Sequence, residues 1–112
     1  MDDLIKKHLQ DILTAIEEVE GFFGNAPKVY DDFYGNLCLR RAIERNIEII
    51  GEAMNRILKV DKDIAITNSR KIVDARNYII HGYDSLSVDI LWSMVINHLP
   101  KLKNEVTALL NI

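Results

Sequence analysis

The chain has 112 residues, 48% of them hydrophobic and 28% charged, with a formal net charge of −3. That length corresponds to one domain spanning residues 1–112, and the composition is that of an ordinary globular protein, not a disordered or fibrous one. Cys38 is the only cysteine, which excludes an intrachain disulfide and a thiolate metal cluster, and no stretch approaches the roughly 20 apolar residues of a membrane span.

The opening residues, Met1-Asp2-Asp3-Leu4-Ile5-Lys6-Lys7-His8, are charged and lack an apolar signal core, so a cytoplasmic location is expected. Charge is spread unevenly. Residues 1–34 hold three Lys/Arg against eight Asp/Glu, residues 35–76 hold nine against six, and residues 77–112 hold two against three. The basic side chains therefore gather in the middle of the chain. They form either a local phosphate-attracting surface, which screening uncouples from distant acids, or plain solvated helix faces.

Residues 3–20 place Leu4, Ile5, His8, Leu9, Ile12, Leu13, Ile16 and Val19 at helical spacing. Asp2 or Asp3 is positioned to cap that helix, and Gly21 to stop it. Residues 21–36 contain Gly24-Asn25-Ala26-Pro27 and Gly35-Asn36, which predict a long connection with room for one short helical turn. A long helix is expected over 37–59, with Leu37, Leu39, Ala42, Ile43, Ile47, Ile50, Met54, Ile57 and Leu58 as its buried stripe. Arg40, Arg41, Glu44, Arg45 and Glu48 interleave on its other side. Gly51 inside this helix costs about 1 kcal/mol relative to alanine, which suggests that another helix approaches closely there.

Residues 60–69 read as a polar loop. A third helix is predicted from Arg70 to His81, capped by Asn68 or Ser69 and ended by Gly82 in a left-handed conformation. Ser85 or Ser87 then caps a fourth, with Asp89 in its first turn and Val88, Leu91, Trp92, Val95, Ile96 and Leu99 on its apolar side. Pro100 is expected to kink or break it before an amphipathic tail carrying Leu102, Val106, Leu109 and Leu110. No strand alternation and no repeat appears. The expected fold is all-α, an antiparallel bundle of four to five helices.

The most informative segment is Arg76-Asn77-Tyr78-Ile79-Ile80-His81-Gly82-Tyr83. Its Arg-x4-His-x-Tyr spacing resembles the signature of HEPN domains of the HepT ribonuclease toxin kind. Ile50-Gly51-Glu52-Ala53 in the preceding helix, Trp92 in the following one and Leu99-Pro100-Lys101-Leu102 resemble the same family, so the likeness covers nearly the whole chain. The resemblance implies an endoribonuclease that needs no metal and no cofactor and acts as a symmetric homodimer. It also implies a partner, a minimal nucleotidyltransferase antitoxin that transfers AMP to the motif tyrosine, here Tyr83.

On an ideal helix, residues five apart differ by about 140° in direction and ~7.5 Å along the axis, so Arg76 and His81 do not share a face. Convergence needs the reach of the arginine, the helix end at His81, and a two-fold axis that brings two such pairs to one cleft. RNA cleavage without a metal requires a base for the 2′-hydroxyl, an acid for the leaving oxygen and a cation for the phosphorane. In that scheme His81 does the proton work, Arg76 stabilises charge, and Asn77 positions phosphate or braces the site.

Plainer readings stand beside these. Arg76 has Glu52 and Asp74 as ion-pair partners within reach of the sequence, and a tyrosine after a helix commonly anchors a turn. His8 reads as a partly buried core histidine, and His98 has no spaced partner that would make a metal site. Trp92 and the Phe22-Phe23 pair read as core or dimer contacts. Gly51 and Gly82 do not make a phosphate loop. The alternative function is a non-catalytic helical subunit that binds substrate for, or scaffolds, a two-protein nucleotidyltransferase, which the acidic net charge suits better. A structural dimerisation module without a partner enzyme is the third.

Overall fold

The computed structural model describes residues 2–81 and 87–111, and every regular element among them is helical. Gly82, Tyr83 and Ser85, singled out above, lie outside the described residues. Helix α1 (Asp3–Phe23) starts where Asp2 Oδ1 accepts the Leu4 and Ile5 amides at 2.7 and 3.2 Å. It runs through Gly21, three residues past the expected stop, and ends at Gly24, whose φ of 60° only glycine adopts without cost. Helix α2 (Tyr30–Tyr34) is the short turn anticipated in the connection.

Helix α3 (Leu37–Val60) is the longest element, and Asn36 Oδ1 caps it by accepting the Leu39 amide at 3.0 Å. Its stripe Ile43, Ile47, Ile50, Met54 and Ile57 is fully buried, each side chain contributing about 1.5–3 kcal/mol on burial. Two expectations fail here. Leu37 is 53% exposed, because the first residue of α3 overhangs the end of the bundle. Glu44, expected on the solvent side, is buried and is held by Arg41 Nη1 at 2.9 Å.

Helix α4 (Ser69–Ile80) begins after Asn68, which sits in the left-handed region at φ 60° and caps with its backbone alone. His81 follows its last residue as the C-cap. Helix α5 (Val88–Ser93) is capped by Ser87 Oγ, which accepts the Ile90 amide at 3.2 Å. The helix does not break at Pro100. Instead a π-helical turn covers Met94–His98, with the Leu99 amide bonded to the Met94 carbonyl, and α6 (Leu99–Leu110) continues at once. Pro100 has no N–H for the carbonyl of Ile96, and the widened turn just before it accommodates that missing partner.

The elements form an antiparallel bundle around α3. Helix α1 packs on one side of α3, α4 on the other, and α6 covers α1, tied to it by Lys103 and Glu20 at 2.8 Å. Leu9, Ile12 and Ile16 of α1, Ile72 of α4, Leu91 of α5, and Leu102 and Val106 of α6 complete the core with the α3 stripe. Asn46, buried between α1 and α3, donates to the Ala15 carbonyl at 3.0 Å and to Glu18 Oε1 at 2.9 Å, so its burial leaves no orphaned amide. The loop over 61–68 is fastened to α6 by Glu105, which accepts the Thr67 amide and hydroxyl. Among the described residues no helix is long and apolar enough to cross a membrane.

Helices α1 and α4 both pack on α3 but not on each other, so a face of α3 stays open between them. Close approach of α4 depends on Gly51. A Cβ there would overlap the Cβ of Arg76 and come within 3.1 Å of the Ile72 carbonyl oxygen. Those neighbours are backbone or next to it and cannot swing aside.

Gly51→Ala is therefore expected to destabilise the fold by about 1–2 kcal/mol, overpacking outweighing the gain in helix propensity. Gly21→Ala, with nothing within 4 Å of the added methyl, is expected to stabilise by about 0.5–1 kcal/mol. Paired urea titrations of the two variants check this, and equal shifts of one sign would contradict the packing argument.

Candidate active site

The open face of α3 is the floor of a cleft of about 490 Å³. Its walls are one side of α1, with His8, Asp11 and Glu18, and the end of α4, with Arg76 and Ile80. Arg45, Glu48, Glu52 and Arg56 line the floor. These four follow Arg41 at helical spacing, so one stripe of α3 carries all five charges.

Arg76 is the best-held of the predicted site residues. Its side chain is 20% exposed and lies across Gly51, with Nη2 paired to Glu52 Oε2 and Nη1 donating to Asn77 Oδ1 at 2.7 Å. Of the two carboxylates that the sequence offered it, Glu52 is the one engaged. Glu52 also accepts Arg56 Nε at 3.0 Å, so a single carboxylate bridges two arginines. Burial works to raise the Glu52 pKa, but the hydrogen bond from Arg56 and the charges of Arg76 and Arg56 outweigh it, holding the carboxyl below its ordinary 4.5.

Asn77 connects the two ends of the motif. Its side chain receives Arg76, and its backbone carbonyl receives the His81 amide at 3.1 Å. His81 stands exposed at the C-terminus of α4, directly after the cleft residue Ile80. Thus α4 turns Arg76 inward toward α3 and leaves His81 at the helix end, the divergence expected of residues five apart. Tyr83 lies outside the described residues.

The cleft is not a uniformly basic groove. Its four carboxylates, Asp11, Glu18, Glu48 and Glu52, face three arginines, and most are engaged. Glu52 holds Arg56 and Arg76, Glu48 meets Arg45 at 3.4 Å, and Glu18 receives Asn46. The side chains of Arg45 and Arg56 remain largely exposed although each is paired.

Sequence reasoning did not place Arg45, Glu48 and Arg56 in the site, although their spacing from Glu52 was a usable signal. It missed the α1 wall because nothing in the sequence says that α1 and α4 flank one face of α3. His8 is buried, as read, but its burial is at the edge of this cleft. His98 lies elsewhere, in the π turn, where burial and then Lys71 and Lys101 hold its pKa below the ordinary 6.5. Trp92 packs 5.0 Å from Phe33 and Phe23 stacks on Phe33 at 6.4 Å, whereas Phe22 is exposed. Among the described residues no three His, Cys, Asp or Glu side chains are grouped to hold a metal ion.

Comparison with known proteins supplies the context for this site. The sequence pattern of the family described as "Ribonuclease HepT-like" matches residues 12–109. The chain is 35% identical over 104 residues to "Putative RNase MJ1380" of Methanocaldococcus jannaschii, covering 91% of this chain and 93% of that protein. It is 33% identical over 101 residues to "Probable ribonuclease HepT" of Thermococcus cleftensis, covering 89% and 90%. A further relative, "Putative RNase TTE0752" of Caldanaerobacter subterraneus subsp. tengcongensis, is 29% identical over 103 residues, 91% of this chain and 87% of its own. No solved structure matches the chain. The matched span takes in the open face of α3, the Arg76–Glu52 pair and the helix end at His81, and the chain belongs to the ribonuclease HepT-like family.

Proposed function

We propose that this protein is an endoribonuclease toxin that cuts RNA by transesterification, with Arg76 and His81 as its catalytic residues. The single observation that carries this reading is Arg76, anchored over Gly51 by Glu52 and Asn77 at the edge of an open cleft, in a chain of a ribonuclease family. In the reaction the 2′-hydroxyl attacks the adjacent phosphorus and the 5′-oxygen leaves, giving a 2′,3′-cyclic phosphate and a free 5′-hydroxyl. His81 moves the protons, and Arg76 stabilises the negative charge of the phosphorane. No step requires a metal.

Arg76 and His81 diverge on α4, so a complete set of base, acid and cation is best assembled from two copies. A symmetric homodimer across the open face would assemble that set, since a two-fold axis presents the same alternating charges to themselves. Glu52 then acts through Arg76. It fixes the guanidinium and neutralises part of its charge until substrate phosphate competes for it. Asn77 braces the same group and hydrogen-bonds the backbone at His81. Family membership and the spacing of Tyr83 support a nucleotidyltransferase antitoxin that silences the toxin by moving AMP onto Tyr83.

Expression of the chain alone in a bacterium is expected to arrest growth, and His81→Ala and Arg76→Ala to restore it. With purified protein, each substitution is expected to lower RNA cleavage by about 10²–10⁴-fold. Arg76→Lys is expected not to rescue, because lysine lacks the planar fork that holds Glu52 and phosphate together. Normal growth with soluble parent protein would instead favour the non-catalytic partner subunit of a nucleotidyltransferase.

The Glu52 carboxyl makes a second, pH-dependent prediction. Its folded pKa lies below its ordinary 4.5, so the stability it contributes is present above that value and is lost as pH falls through the folded value. The stability difference between parent and Glu52→Gln is expected to be largest above pH 4.5 and to shrink below it. Urea unfolding at a series of pH values reads this directly, and a difference independent of pH would rule out the ion pair as its source.

A further inference from the structure

At the end of the bundle from which α3 starts, a second cluster lies outside the cleft. Tyr30, Phe33, Tyr34 and Trp92 pack together, with Tyr30 5.7 Å from Trp92 and Tyr34 6.1 Å from Tyr30. Phe33 is the buried centre, yet Tyr34 is 58% exposed. The Arg40 guanidinium lies over the Tyr34 ring at 6.0 Å. Among the described residues Arg40 has no carboxylate partner, and its Nε is buried without a hydrogen bond. With the guanidinium over one face, the exposed part of the Tyr34 ring remains for a base, and the arginine supplies a cation for its phosphate.

The position relates this pair to the cleft. Arg41 and Arg45 begin the same α3 stripe that continues through Glu48 to Glu52, and both head groups are largely exposed. Arg40, next to Arg41, is about 18 Å from Glu52 along the helix axis and about 120° around it, so a strand of a few nucleotides would follow the stripe and then turn around the start of α3. The carboxylates on this path are engaged: Glu44 by Arg41, Glu48 by Arg45, and Asp89 by the Tyr30 hydroxyl. Asp31 and Asp32 on α2 are exposed and weaken the phosphate attraction. The cluster therefore offers stacking and one cation, not a wide basic field.

We infer that Tyr34 and Arg40 form a stacking subsite for an unpaired RNA base, placed a few nucleotides from the phosphate that meets Arg76. The inference rests on the ribonuclease reading for its orientation. It adds a preference for single strands, because a base within a duplex does not offer its face.

The test is fluorescence anisotropy with a short labelled 2′-O-methyl oligonucleotide, which cannot be cut through its 2′-oxygen, offered single-stranded and as a duplex. The parent is expected to bind the single strand more tightly. Tyr34→Ala and Arg40→Ala are expected to weaken that binding about tenfold, and Tyr34→Trp to keep it. Equal binding by parent and Tyr34→Ala, equal loss in Tyr34→Ala and Tyr34→Trp, duplex preference, or no binding by the parent would each overturn the subsite, the last leaving the exposed face to a protein partner. With unmodified RNA, Tyr34→Ala is expected to raise KM about tenfold with kcat within about twofold of the parent. A parent that cuts no RNA yet shows the Tyr34-dependent binding would sink the ribonuclease reading while sustaining the subsite.

Discussion

The contact of α4 with α3 at Gly51 is where fold and site become one problem. Without a side chain at that position, the stem of Arg76 lies flat against the backbone of α3, and its guanidinium reaches Glu52 one residue further on. The glycine costs about 1 kcal/mol of helix propensity, and the close packing of α4 offsets it. The same contact sets the depth of the cleft, since it decides how near the end of α4 stands to the floor. Bulk at position 51 would move Arg76 before it disturbed the distant core.

The charges of the cleft follow a second constraint. A partly buried arginine needs a counterion, and a carboxylate that bridges two arginines keeps its charge although burial opposes it. Arg76 is thus held in place and partly neutralised by Glu52. Arg45 and Arg56 are also paired, with Glu48 and Glu52, but their side chains are far more exposed than that of Arg76.

Much of the fold was legible because α3 and α1 repeat their apolar residues with few interruptions, from Leu9 to Val19 and from Ile43 to Ile57. The errors fall at ends. Gly21 looked like a stop, but no left-handed turn is needed there, and Gly24 supplies it. Leu37 looked buried because periodicity does not reveal where a helix outruns its neighbours. In the site, Arg76 and its partner Glu52 were readable from the motif and the Gly-Glu pair. The α1 wall was not, because its Asp11 and Glu18 read as solvated acids until the bundle sets them in one cleft with Arg45 and Arg56.

The π turn ahead of Pro100 also concerns phase. Leu91, Val95, Leu99, Leu102 and Val106 are all buried, although fifteen residues on a straight α-helix would carry Val106 about 60° around the axis from Leu91. The turn over Met94–His98 fits more residues into one revolution and takes out part of that drift. By the count of a regular helix this stretch behaves as if it holds one residue too many, an insertion absorbed without a loop. One apolar stripe thereby continues from α5 into α6 over the same core.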